Sequence, residues 1–276
     1  MNIYEKLQNS VKKNNSLVCV GLDPDVTKIP QFLRQDGDNA LFEFNKAIID
    51  TTANMVCAFK PNSAFYEAYG VDGIWQLRMT TMYIKQQYPD IVIILDAKRG
   101  DIGSTNEGYV RFAYDYLGVD AITLQPYLGK ESLKPFLERE DKAAIILCRT
   151  SNPGAGEFQD LMTDGEALYK KVAKSVVAWN THNNCMLVTG ATYPQELADI
   201  RSIVGDMPFL VPGVGAQGGD INKIMKSGLD SHKTGLIINS SRGVIYASDG
   251  EDFADAAKRE VITLRDEINK YRTVKL

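Results

Sequence analysis

Histidine is almost missing from this chain: His182 and His232 are the only two among 276 residues, and both lie in polar, loop-like surroundings. A Ser-His-Asp triad or a His-rich metal site has little to be built from. Cysteine is sparse as well. Cys19, Cys57, Cys148 and Cys185 are far apart, each in an apolar, strand-like run. They read as small core residues in a reducing compartment, not as a disulfide set or zinc site. No apolar run approaches the roughly 18 residues that span a bilayer. The start, Met1-Asn-Ile-Tyr-Glu-Lys-Leu7, reads as amphipathic rather than as a signal peptide. An excess of positive charge is also lacking, and a net charge of -4 provides no basic field for nucleic acid. No composition break, Pro/Ser-rich linker or internal repeat divides the chain. Residues 1–276 therefore read as one domain of a protein expected in the cytoplasm, with no nucleic-acid or membrane partner.

What is present is a series of short apolar runs. They are Ser16–Leu22, Met55–Phe59, Ile91–Leu95, Val119–Leu124, Ala143–Cys148, Cys185–Thr189, Pro208–Pro212 and Gly235–Asn239. Such runs, apolar on both faces, suit strands of a parallel sheet. Helical spacing lies between them, over about 39–52, 63–88, 110–117, 130–140, 163–180 and 193–204, with helices before the first run and over 251–271. Eight strands alternating with helices are what a (β/α)8 TIM barrel, an α/β fold, requires. A doubly wound open sheet is the alternative, because periodicity does not show whether the sheet closes.

The chain is organised around Ile91-Val-Ile-Ile-Leu-Asp-Ala-Lys-Arg-Gly-Asp-Ile-Gly-Ser-Thr105. Five apolar residues end in Asp96, Lys98 and Asp101, and a helix could begin at Gly103 or Ser104. Residues i and i+2 share a strand face, so Asp96 and Lys98 can point into one site, and Asp101 in the next turn can reach the same ammonium. Charges at the end of a buried strand cost desolvation free energy. A salt bridge tying the strand to a loop would explain one pair; two carboxylates around one Lys favour a catalytic site.

In a closed sheet every strand C-terminus gathers at one mouth. There the chain places Asp23, Lys60, the Asp96-Lys98-Asp101 group, Ser151 and Asn152, the loop Gly213-Val-Gly-Ala-Gln-Gly-Gly219, and Ser240-Ser-Arg242-Gly243. Adjacent strands lie about 4.8 Å apart, so Lys60 can stand beside Asp96. The four-glycine loop can bring backbone N–H groups to an anion, and with Arg242 it fits the phosphate site that barrels build after strands seven and eight. Tyr127 and Tyr193 read as partly buried loop aromatics.

These residues together resemble the orotidine 5′-monophosphate decarboxylase family, in its longer bacterial-type branch. The resemblance is carried by Gly21-Leu-Asp23, Phe59-Lys60-Pro-Asn, the organising stretch, Thr123-Leu-Gln-Pro-Tyr-Leu-Gly129, Arg149-Thr-Ser-Asn-Pro, Pro212-Gly-Val-Gly-Ala-Gln217 and Ser240-Ser-Arg242-Gly. It implies a homodimeric barrel with shared active sites that converts orotidine 5′-monophosphate to uridine 5′-monophosphate and carbon dioxide without a cofactor or metal. By the same resemblance Lys60, Asp96, Lys98 and Asp101 form the catalytic network, Asp101 entering the partner's site with Thr105 beside it. Asp23 would hold the ribose, Ser151 the pyrimidine, and Gln217 and Arg242 the phosphate. Ala97 stands where other branches carry a bulkier residue. Two further readings are a magnesium-dependent sugar-phosphate decarboxylase or aldolase, which would want an acid where this chain has Lys60, and a phosphometabolite-binding barrel without turnover.

Overall fold

A computed structural model describes residues 2–35, 39–214 and 220–272. Eight parallel strands close into a barrel: β1 (Val18–Leu22), β2 (Ala58–Pro61), β3 (Val92–Arg99), β4 (Ala121–Leu124), β5 (Ala143–Arg149), β6 (Cys185–Thr189), β7 (Phe209–Pro212) and β8 (Leu236–Ser240). Each strand pairs with its neighbours in sequence, and β1 closes on β8 through Val18↔Ile238, Cys19↔Asn239 and Val20↔Ser240. Closure decides between the two sheet arrangements that periodicity leaves open. The apolar runs are buried because one face fills the barrel and the other meets the helical layer.

The first helix, Ile3–Asn14, shuts the N-terminal end of the barrel. Asn2 and Glu5 form its capping box. Ser10 Oγ donates to the Cys57 carbonyl at 2.9 Å, just before β2, and Lys6 meets Asp120 at 2.7 Å, just before β4. With that end plugged, the strand C-termini are left as the accessible mouth. Outside the strands, helix Ala40–Thr52 packs between Gly70–Gln87 and Phe253–Asn269, with Phe44 stacked on Phe253 at 5.2 Å.

Several elements differ from the sequence expectation, among them a helix, Ile221–Gly228, between β7 and β8 where none is expected. The region expected as one helix over 163–180 starts only at Leu168, because Met162–Thr163 and Glu166–Ala167 pair as a small antiparallel ribbon. Its turn is Asp164-Gly165, with φ of +51° and +82°, the pairing of positive angles that a two-residue hairpin turn needs. The helical stretch 63–88 is split into Ala64–Glu67 and Gly70–Gln87. The segment expected to be helical over 110–117 continues the helix Gly103–Val110 as a π-helix over Arg111–Tyr116.

Candidate active site

Sequence pattern ends β3 at Leu95, yet the strand runs on through the charged residues to Arg99. It does so irregularly. Leu95 faces Ile122 and Arg99 faces Leu124 on β4, so four steps of one strand are matched to two of the other. The excess forms a bulge, a device that re-aims side chains at strand ends. Within it Lys98 has φ of +46°, unusual for a residue with a side chain. Thr123 of β4 fills the gap: its hydroxyl accepts from the amides of Ala97 (3.0 Å) and Lys98 (2.9 Å) and donates to Asp96 Oδ1 (2.9 Å). On the other side the Ser63 amide donates to the Asp96 carbonyl at 3.2 Å.

Asp96 is thereby set between two cations. Lys60 Nζ lies 3.0 Å from Oδ2 and Lys98 Nζ 2.7 Å from Oδ1. Burial alone would push the Asp96 carboxyl up, but Lys60 and then Lys98 hold it well below the usual carboxylate range. Burial likewise opposes the charged form of Lys60, and the nearby carboxylates of Asp23 and Asp96 outweigh it, so its ammonium is pushed above the usual lysine range. Lys60 and Asp96 therefore hold each other in the charged form near neutral pH.

Asp23 follows β1. Ser241 Oγ donates to its Oδ2 at 2.6 Å, and Tyr246 Oη donates to its carbonyl at 3.0 Å. Its Oδ1 is buried with no hydrogen-bond partner among the described residues. Gly21 permits this approach, because a Cβ there would stand 2.7 Å from Ser241 Cβ.

After β5 the loop bearing Ser151 is held by its flanks. Arg149, itself buried, pairs with Glu196 and with Asp160 at 3.2 Å, and its guanidinium lies 4.4 Å over the ring of Tyr193. Burial disfavours its charge, but Glu196 and Asp160 raise its pKa. Gln159 then accepts from the Thr150 amide and donates to the Thr150 hydroxyl, each at 2.9 Å. Ser151 is half-buried beside this network. Arg242 starts the short helix Arg242–Ile245 after β8 with its side chain exposed.

The structure does not bring every expected residue to the pair. Asp101 makes no ion pair with Lys98: its Oδ1 accepts from the Ile102 amide at 2.7 Å, and its own amide donates to Asn106 Oδ1 at 3.0 Å. The local reason is that the bulge takes up two residues of β3, and Asp101, past the strand's end at Arg99, is held in the following turn by Asn106. Thr105 is exposed in the first turn of the helix that follows. Tyr127, expected to be partly buried, is exposed, as are Leu128 next to it and Ile102. Gln217 lies outside the described residues. Thr123, Tyr246 and the role of Arg149 are not legible as site features, although Arg149 carries the same signal as Asp96, a charge closing an apolar strand.

This arrangement can hold an anionic group near two fixed ammonium ions while a carboxylate faces it at close range. Among the described residues no three His, Cys, Asp or Glu side chains come together as metal ligands would. Residues 16–257 match the model of the family described as orotidine 5′-phosphate decarboxylase / HUMPS. The orotidine 5′-phosphate decarboxylase of Cellvibrio japonicus is 53% identical over 274 residues, covering 99% of this chain and 100% of that protein. That of Ralstonia pickettii is 48% identical over 273 residues, covering 99% and 100%. The solved structure of Leishmania donovani OMP decarboxylase, 37% identical, superposes with a TM-score of 0.85 over 99% of both chains.

Proposed function

The chain belongs to the orotidine 5′-phosphate decarboxylase / HUMPS family and is a carboxy-lyase; from that premise we propose that it converts orotidine 5′-monophosphate to uridine 5′-monophosphate and carbon dioxide in pyrimidine biosynthesis, with no metal or organic cofactor. The observation that carries this reading is Lys60 at the end of β2, 3.0 Å from Asp96. A metal-dependent sugar-phosphate decarboxylase would want an acid at that position, and a binding barrel would have no use for a line of opposed buried charges.

Loss of carbon dioxide from C6 of the pyrimidine leaves an electron pair on a carbon with no adjacent sink. Enzymes lower barriers by roughly 8 to 23 kcal/mol, and this reaction needs the upper part of that range. Lys98 is the cation placed to supply part of it. Its ammonium is half-exposed and held at 2.7 Å by Asp96, so it can stabilise the developing carbanion and then deliver a proton to C6. Asp96 stays ionised and faces the substrate carboxylate, which disfavours the ground state relative to the product of carbon dioxide loss. Lys60 stays charged and fixes Asp96. Asp23, with one buried acceptor open, suits a ribose hydroxyl; Ser151 suits the pyrimidine, and Gln217 and Arg242 the phosphate. Binding energy from that remote phosphate is available to orient the ring.

We further read residues 1–276 as one domain working as a cytoplasmic homodimer. Asp101, which does not reach Lys98 in its own chain, is then given to the partner's site, with Thr105 next to it. Ile102, next to Asp101 in the chain, and Tyr127 and Leu128, on the loop whose Gln125 donates to the Gly100 carbonyl at 3.1 Å, are exposed apolar side chains, which supports a surface covered by a second copy. Free cysteines, as all four are, suit a reducing compartment.

The test is direct assay of orotidine 5′-monophosphate decarboxylation with and without a chelator. Equal rates are expected. Activity abolished by the chelator and restored by magnesium would refute a metal-free reaction.

A further inference from the structure

We infer that Thr123 is a positioning residue for the decarboxylation, its hydroxyl fixing the peptide that carries Lys98 and the carboxylate that Lys98 meets. The inference rests on the decarboxylase reading above.

A hydroxyl has one proton to donate and two lone pairs to accept with. Thr123 uses all three, toward Asp96 Oδ1, the Ala97 amide and the Lys98 amide. At 1% exposure no solvent competes for them. In an extended strand successive N–H groups point to opposite edges. Here two in a row converge on one oxygen, the concave arrangement that successive amides form around an anion or acceptor when a residue turns to positive φ. That residue is Lys98, at +46°. The threonine oxygen therefore occupies the centre of the bulge and satisfies the amides that the broken ladder leaves over.

The consequence reaches the chemistry through geometry. The Lys98 side chain is long and half-exposed, so its ammonium is located by where its backbone starts and by the carboxylate it meets. Both of those are tied to the same oxygen atom. Without the hydroxyl, two amides and one carboxylate oxygen lose a partner together, and the ammonium is free to drift from the position it needs. A misplacement of about 1 Å costs on the order of 100-fold in rate. The groups assigned to ribose, pyrimidine and phosphate follow β1, β5, β7 and β8, and none of them is among the three partners of the Thr123 hydroxyl. Substrate and product binding should then be spared, so the loss falls on kcat.

Thr123→Val keeps the branched shape and deletes the hydroxyl; Thr123→Ser keeps the hydroxyl and deletes the methyl. We expect Val to lower kcat about 10- to 100-fold with little change in the affinity for uridine 5′-monophosphate, and Ser to restore most of the rate. Wild-type kcat in the folded Val variant overturns the proposal. So does a Ser variant as impaired as Val, or a parallel loss of kcat and nucleotide affinity. Thr123→Ala serves if the Val chain does not fold; failure of both to fold beside a folded Ser variant would make the residue merely structural and overturn it too. A wild-type chain that does not decarboxylate orotidine 5′-monophosphate sinks the underlying reading instead.

Discussion

Lys60 Nζ stands 3.0 Å from Asp96 Oδ2 with side-chain exposures of 4% and 12%, whereas Lys98 shares the same carboxylate at 50% exposure. One aspartate thus holds two cations of different kinds. The first is locked in the barrel wall, and its charge fixes the carboxylate. The second reaches the mouth, where it can meet a reacting atom. The division follows from the strands: β2 is regular and buried to Pro61, while β3 bulges before Arg99.

That difference should appear in stability. Lys60→Ala leaves Asp96 and Asp23 without their buried counter-ion, and breaking a buried pair on one side costs about 3–5 kcal/mol. Lys98→Ala removes a half-exposed partner, and such pairs contribute about 0–1 kcal/mol. Urea unfolding of the two variants is expected to separate them by that margin. Equal losses would show that the two lysines share one structural role.

The pH dependence follows from the signs of the shifts. The folded Asp96 carboxyl lies below its unfolded value of about 3.9, so its contribution is present above that pH and is lost as pH falls through the lower folded value. The folded Lys60 ammonium lies above its unfolded value of about 10.4, so its contribution is full below that pH and fades only as pH rises through the higher folded value. The stability difference between wild type and Asp96→Asn should therefore be flat from about pH 5 to 9 and shrink below about pH 4. A difference that shrinks between pH 5 and 7 would mean that the lysines do not hold the carboxyl down.

The parts of the site that could be read from the sequence are those where a charge closes an apolar strand. Lys60, Asp96 and Lys98 show themselves because burial makes a charge costly, and the barrel then gathers them. Thr123 does not show itself. A threonine inside Ala-Ile-Thr-Leu is an ordinary strand residue until its neighbour strand bulges, and a bulge depends on pairing between strands that spacing along one strand does not encode. The same limit applies to Asp101, whose spacing from Lys98 permits a contact that the turn at the bulge removes. The ribbon at Met162–Ala167 differs, since Asp164-Gly165 is a local turn signal that the apolar spacing of the following helix outweighs.

Arg242 is placed to test the phosphate assignment. Its side chain is exposed at the end of β8 and forms no ion pair among the described residues. A charge-assisted hydrogen bond to phosphate contributes about 1.5–3 kcal/mol. In Arg242→Ala, calorimetry should show binding of uridine 5′-monophosphate weakened by that amount and binding of uridine nearly unchanged. Equal weakening of both ligands would remove Arg242 from the phosphate.

Lys98 and Asp101 give the most discriminating test, because the proposed dimer assigns them to the same site from different chains. Lys98→Ala should fold and bind nucleotide yet lose nearly all turnover, since the stabilising charge and the proton are both gone. Asp101→Asn should be severely impaired as well. Each site of a dimer would need Lys98 from one chain and Asp101 from the other. A heterodimer with one chain of each variant then has one site with both lesions and one with neither. Random exchange places about half of the dimers in that form, so roughly a quarter of wild-type activity should return if the sites act independently. The measurement is decarboxylation after mixing the two inactive proteins, with exchange followed by differently tagged chains. No recovery despite complete exchange would return Asp101 to its own chain's site, which would require the loop from Gly100 to Ile102 to swing toward Lys98 from the position that Asn106 now holds.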